Sequence, residues 1–174
     1  MSFTQFTVYG PYPIPLSCRY RFHGYWRVRE GARSFWADAE AKALQDRKGC
    51  YAFGVRTGGG ITLTYVGLTV VQTFGKECFT KHKVSEHYNP ALRRRKRKKG
   101  TPVLYFVVAP RGKTPSLRIP QVESFLIQTC VTNGIEVTNQ RKRGEYAWGI
   151  GGISPRARGR PADPAAGLRK ALRI

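Results

Sequence analysis

The chain has 174 residues, enough to bury a core of its own, and its 31 Lys and Arg against 10 Asp and Glu leave a net charge of +21. A balance that lopsided repels itself unless a polyanion is the usual neighbour, so nucleic acid or an anionic membrane surface is the implied partner. The amino terminus lacks the layout of a signal peptide, no apolar run approaches the roughly 18 residues of a membrane span, and no basic amphipathic helix favours a membrane surface.

The expectation is therefore a soluble, cytoplasmic, nucleic-acid-binding protein. Apolar content of 41% and aromatic content of 12% are ordinary for a globular chain. Cys18, Cys50, Cys78 and Cys130 stand far apart. They lack the paired spacing of a zinc site and read as small buried hydrophobes rather than as metal ligands or disulfides.

Residues 3–9 alternate apolar and polar side chains, as a half-buried strand does, and the proline-rich stretch after Gly10 forces an extended turn. Residues 19–29 mix arginines with Tyr20, Phe22, Tyr25 and Trp26. That mixture suits either phosphate and base contacts or a surface strand with inward aromatics. Ser34 is a candidate N-cap for a helix over 35–47, rich in alanine. Two strands with a glycine-rich turn between them follow over 49–67, then a helix over 74–88 that Asn89 and Pro90 end.

The run Arg93, Arg94, Arg95, Lys96, Arg97, Lys98, Lys99 cannot enter a core and reads as a solvated, mobile segment. Residues 103–109 form a nearly continuous apolar stretch, the pattern of a central strand buried on both faces. A helix is predicted over 119–133, with Pro120 in its first turn and Gly134 past its end. A short strand over 135–138 leads to Asn139 and the basic Arg141, Lys142 and Arg143, and the tail from Ser154 onward has little to bury. The expected organisation is an N-terminal extension over 1–47, a core over 48–153 and a basic tail over 154–174.

The tripeptides Gly49-Cys50-Tyr51 and Tyr65-Val66-Gly67, on consecutive strands of one hairpin, set two tyrosines near each other. Together with a basic, His-containing helix, a strand, a helix bearing Glu123 and then Asn139, they resemble the GIY-YIG nuclease family over roughly 100 residues. The resemblance implies an α/β fold, a small mixed or antiparallel central sheet flanked by helices. It also implies hydrolysis of DNA phosphodiesters with one divalent metal, Mg²⁺ or Mn²⁺, on a glutamate.

Glu123 sits beside the apolar stripe of its predicted helix, where a carboxylate is costly unless paired. Two readings stand there: a helix-edge carboxylate bonded to an arginine, or, as the resemblance implies, the metal ligand. Tyr51 and Tyr65 are either core aromatics or the phenols that position the attacking water.

The family places an arginine and, four residues on, a histidine or tyrosine on the helix after the hairpin, whereas here Cys78 precedes His82 at that spacing. Lys76 and His82 are the first choice for the phosphate-facing cation and its neighbour, and Lys83 with His87 repeats the spacing. Asn139 reads as a support for the site or as a turn residue.

The run 93–99 and the cluster 141–143 supply phosphate contacts without sequence information. Arg158 and Arg160 read as a nonspecific tether or a minor-groove element. The competing readings are a DNA-binding module that has lost catalysis and a basic RNA-binding protein. A homodimer cutting both strands is compatible with the sequence.

Overall fold

The structure, a computed structural model, describes residues 4–18, 26–93, 100–138, 148–150, 153 and 163–174. Among the described residues no helix is long and apolar enough to cross a membrane. The architecture is α/β. Strands β1 (Thr4–Pro13), β4 (Gly49–Thr57), β5 (Gly60–Thr69), β6 (Thr101–Val108) and β7 (Trp148–Ile150) form one sheet in the order β5-β4-β6-β1-β7, with β7 parallel to β1 and the other pairs antiparallel. The short strands β2 (Ser17–Cys18) and β3 (Trp26–Arg27) pair with each other.

From Val103 to Val108 β6 is buried throughout, as its unbroken apolar run predicts. Its Tyr105 and Val107 face one core, with Ile119, Val122 and Leu126 of α4 (Lys113–Thr132) and Leu168 of α5 (Asp163–Leu172). Leu104 and Phe106 face the other. There they meet Phe35, Trp36 and Leu44 from around α1 (Ala39–Leu44), Phe74 of α2 (Phe74–Glu77) and Tyr88.

Several local readings change. Residues 35–37 form a single 3₁₀ turn, Ser34 makes no side-chain cap, and α1 starts instead where Asp38 accepts the backbone N–H of Ala41 at 2.9 Å. The predicted helix over 74–88 is broken after Glu77 and resumes at Lys81, widening into a π-helical turn over Lys83–Tyr88 that passes directly into α3 (Asn89–Arg93). Asn89 and Pro90 therefore do not end it. The wider π turn carries the Asn89 N–H back to the Val84 carbonyl, just before a residue that has no N–H of its own to donate. The Asn89 side chain is tied off by accepting the Val28 N–H at 3.0 Å.

Helix α4 begins at Lys113, so Pro120 lies inside it rather than in its first turn. Gly134, at φ +66°, follows the helix end in the left-handed conformation that glycine tolerates best. Residues 135–138 form no strand, although Ile135 and Val137 are buried and the Thr138 N–H donates to the Thr64 carbonyl at 3.1 Å.

The three-part organisation also changes. Strand β1 is an inner strand of the sheet rather than part of an extension, since β6 and β7 flank it. The tail, expected to have little to bury, contributes α5, whose Ala165, Leu168, Ala171 and Leu172 enter the core formed with α4. The spacing of these residues is helical, and alanine and arginine around them favour a helix.

Leu168 is fully buried, so Leu168→Ala is expected to lower stability by about 2–5 kcal/mol. Urea unfolding followed by circular dichroism reads this. A change below about 0.5 kcal/mol, the range of surface substitutions, would show that α5 is dispensable to the core.

Candidate active site

Strands β4 and β5 pair in register from Gly49↔Thr69 to Phe53↔Tyr65, and the next pair is Gly54↔Leu63. Thr64 is thus the extra residue of a β-bulge. A strand alternates its faces, so residues 63 and 65 would otherwise share one. With the bulge, Leu63 packs into the core on the α4 side while Tyr65 joins Tyr51 on the opposite face. The two rings lie with centroids 6.0 Å apart.

The last residue of the second tripeptide is explained by the first. Gly67 lies opposite Tyr51, and a Cβ there would come within 2.5 Å of the Tyr51 Cζ, 2.6 Å of its hydroxyl and 2.9 Å of the Tyr65 ring. Only a residue without a side chain lets the Tyr51 phenol lie across the strand. Gly49 is equally constrained, at φ +154° with the Val107 carbonyl where a Cβ would sit.

Around Tyr65 the other groups converge. His87 stacks on it with centroids 4.1 Å apart and planes 22° off parallel. The Lys83 ammonium lies 5.4 Å from the ring centroid, a cation–π distance, and pairs with Glu77 at 3.6 Å. Burial works against the charge on Lys83, but its hydrogen bonding and attraction to Tyr65, followed by Glu77, outweigh that and raise its pKa. Lys83 stays cationic.

His87 behaves oppositely. Burial, then His82 and Lys83, lower its pKa below the ordinary 6.5 and favour the neutral imidazole. Its Nδ1 shares a 2.8 Å hydrogen bond with Thr138 Oγ1. In the tautomer in which Nδ1 donates to that hydroxyl, Nε2 is left with a free lone pair.

Glu123 stands on α4, the helix that packs against the face of the sheet opposite Tyr65. That helix is docked there by the Cys50 thiol, which donates to the Ile119 carbonyl at 3.3 Å. Half-buried, the carboxylate forms no hydrogen bond or salt bridge among the described residues. Burial raises its pKa, and the charge of Lys83 offsets that in part. It is also felt by Cys50, whose thiol burial and Glu123 together push up. An electrostatic link thus runs from Glu123 to Lys83 and on to Tyr65.

The predicted residues divide accordingly. Tyr51 and Tyr65 share a face, but Tyr51 is fully buried, its hydroxyl lacks a hydrogen-bond partner among the described residues, and its pKa is pushed far up by burial and then by Tyr88 and Cys78. It can support Tyr65 but cannot act as a base. Lys76 is exposed, whereas the Lys83 side chain is only 18% exposed. His82 is exposed, bound through Nδ1 to Glu86 at 2.8 Å, and meets the site only through the His87 ring at 5.3 Å.

Cys78 is fully buried beside Tyr51 and Tyr88, a core position with no route to solvent. The break after α2 is the reason: without a continuous helix, residues four apart over 78–82 do not share a face. The pair that meets Tyr65 is Lys83 and His87, the second register that the sequence allowed. Thr138 went unnoticed because a threonine beside an asparagine carries no signal of its own. Arg93 is exposed at the end of α3. Asn139, 94–99, 141–143, Arg158 and Arg160 lie outside the described residues.

Comparison with known proteins finds no family model, no curated protein and no solved structure that matches the chain.

Gly67→Ala is expected to destabilise the fold by about 1–3 kcal/mol through overpacking against Tyr51, and Tyr51→Ala to relieve part of that clash. Unfolding free energies of the two single variants and the double variant test the contact, and strictly additive costs would refute it.

Proposed function

We propose that the protein is a divalent-metal-dependent endonuclease that hydrolyses DNA phosphodiesters by GIY-YIG-type chemistry. The observation that carries this reading is the convergence on Tyr65 of a cation held charged, an imidazole held neutral and, through Lys83, an underpartnered carboxylate. A structural role alone gives no reason for a largely buried cation and a neutral histidine to meet on one tyrosine, with Glu123 feeling that cation's charge, in a chain at +21.

Glu123 fits a hard cation. One carboxylate suffices for Mg²⁺ or Mn²⁺ when water and substrate phosphate supply the other oxygens, and a cation beside a half-buried carboxylate relieves the penalty that raises its pKa. When bound, the metal supplies Lewis-acid stabilisation of charge on the phosphoryl and leaving oxygens.

The chain's own groups do the rest. Lys83 meets charge developing on the scissile phosphate, the demand for which the family uses an arginine. Tyr65 holds the attacking water through its hydroxyl, with Tyr51 and Gly67 fixing the ring beneath it. His87 Nε2 accepts the water's proton while Thr138 holds the ring in the productive tautomer. The large positive charge supplies sequence-independent affinity that weakens with salt.

Nicking of supercoiled DNA in Mg²⁺ tests this. Lys83→Met is expected to slow cutting by about a hundredfold or more, and Lys76→Met by less than about threefold. Equal losses, or tight binding with no cutting in Mg²⁺ or Mn²⁺, would overturn the proposal.

The pH profile carries a second test. Protonating Glu123 removes the metal ligand and protonating His87 removes the base, so rate is lost as pH falls. The loss is expected between Glu123's ordinary 4.5, which burial raises, and His87's ordinary 6.5, which burial lowers. A rate independent of pH across that interval would contradict both roles.

A further inference from the structure

Three connections meet at the end of the sheet where β4 begins and β5 and β6 end: 45–48 before β4, 70–73 between β5 and α2, and 109–112 between β6 and α4. Hydrogen bonds stitch them into one surface. The Arg47 carbonyl accepts the Phe74 N–H at 3.0 Å, the Gln45 carbonyl the Gly75 N–H at 2.9 Å, and the Lys48 carbonyl the Ala109 N–H at 2.9 Å. The Arg47 guanidinium donates in turn to the Ala109 carbonyl at 3.0 Å. Thr69, whose hydroxyl accepts the Gly49 N–H at 3.1 Å, and the fully buried Phe74 anchor the 70–73 loop on both sides.

Two kinds of side chain stand out there. In the three connections Arg47, Lys48 and Arg111 face a single carboxylate, Asp46. The two most exposed large apolar side chains among the described residues lie at the same end, Val71 in the 70–73 loop at 86% and Leu117 at 68%. Leu117 is held there because the Ile119 carbonyl, half a turn further along α4, accepts the Cys50 thiol at the start of β4. One more turn along α4 stands Glu123. The surface therefore adjoins the candidate metal ligand.

An apolar side chain held out in water gains nothing from the fold, and clustered cations repel one another until a polyanion joins them. Duplex DNA answers both. Its phosphates pair with the cations, and its stacked bases admit an apolar side chain where a base step opens, as proteins that kink DNA do with apolar wedges. A loop anchored on both sides can press on a base step without folding back.

Resting on the nuclease reading of the adjoining site, we propose that duplex DNA docks on this surface, with Arg47, Lys48 and Arg111 on its phosphates and Val71 pressed into a base step beside the cut. The favoured substrate is then a duplex that opens easily at one step, such as one with a bulged nucleotide.

The test uses the full chain in EDTA, so that nothing is cut, with fluorescent duplexes that are either fully paired or carry one bulged nucleotide. Wild type is expected to bind the bulged duplex at least about tenfold more tightly, because its opened step spares the cost of unstacking. Val71→Ser alters an exposed side chain and is expected to bring the two duplexes within about twofold. Arg111→Gln, also at an exposed position, is expected to weaken both alike and to lower the slope of log affinity against log salt by about 1.

Equal affinities for the two duplexes in wild type, or a bulge preference that survives Val71→Ser, would overturn the proposal. So would binding to phosphatidylserine vesicles that Val71→Ser abolishes, in place of any duplex preference. A parallel incubation of wild type with both duplexes in Mg²⁺ separates the two readings. Cutting without a bulge preference removes the wedge alone, and a Val71-dependent preference without cutting removes the nuclease reading but leaves the docking surface.

Discussion

The site depends on one extra residue in one strand. Because Thr64 bulges from the β4–β5 ladder, Leu63 can stay in one core while Tyr65 turns to the opposite face and meets Tyr51. Everything downstream uses that turn: His87 stacks on the re-aimed ring, Lys83 sits over it, and the bulged carbonyl receives the N–H of Thr138, which in turn holds His87. Bulges recur beside active sites because they re-aim a side chain without disturbing the rest of the sheet. Here the re-aimed side chain also needs Gly67 beneath it, since any Cβ would displace the Tyr51 phenol.

Electrostatics give the site its direction. A half-buried carboxylate with a raised pKa costs the folded chain stability above that pKa, because its ionised form is poorly solvated there. In a chain with 31 basic residues a direct arginine partner for Glu123 would be easy to supply, yet the described residues provide only the longer-range charge of Lys83. Lys83 itself is shared between Glu77 and Tyr65. The arrangement leaves Glu123 outside any salt bridge of the described residues, whereas Lys83 has an internal partner in Glu77.

Much of the fold was legible because its signals are local and repetitive. The buried run of β6, the glycine turn between β4 and β5 and the apolar stripe of α4 each declare themselves by periodicity. The misreadings arose where a distant partner decides the outcome. Pro90 looked like a stop, but a widened helical turn and the bond from Asn89 to Val28 carry the chain past it. The arginine- and alanine-rich tail looked unburied because α5 gains its core only from α4 and the sheet. For the site, the tyrosines and Glu123 could be singled out from residue type, whereas the choice of Lys83 and His87 over Lys76 and His82 required the break after α2, which no residue in 78–82 announces.

On the proposed function, Glu123 is kept half-buried for a metal and for DNA cleavage, at a cost to stability. The most direct measurement compares the wild-type chain with Glu123→Gln in two readouts: Tm without metal at neutral pH, and nicking of supercoiled DNA in Mg²⁺ with EDTA as control. Above the carboxyl's raised pKa the glutamine removes an uncompensated charge, so the account predicts a higher Tm together with loss of metal-dependent cutting. A variant that is less stable and still cuts, or a wild-type chain whose cutting survives EDTA, would contradict it.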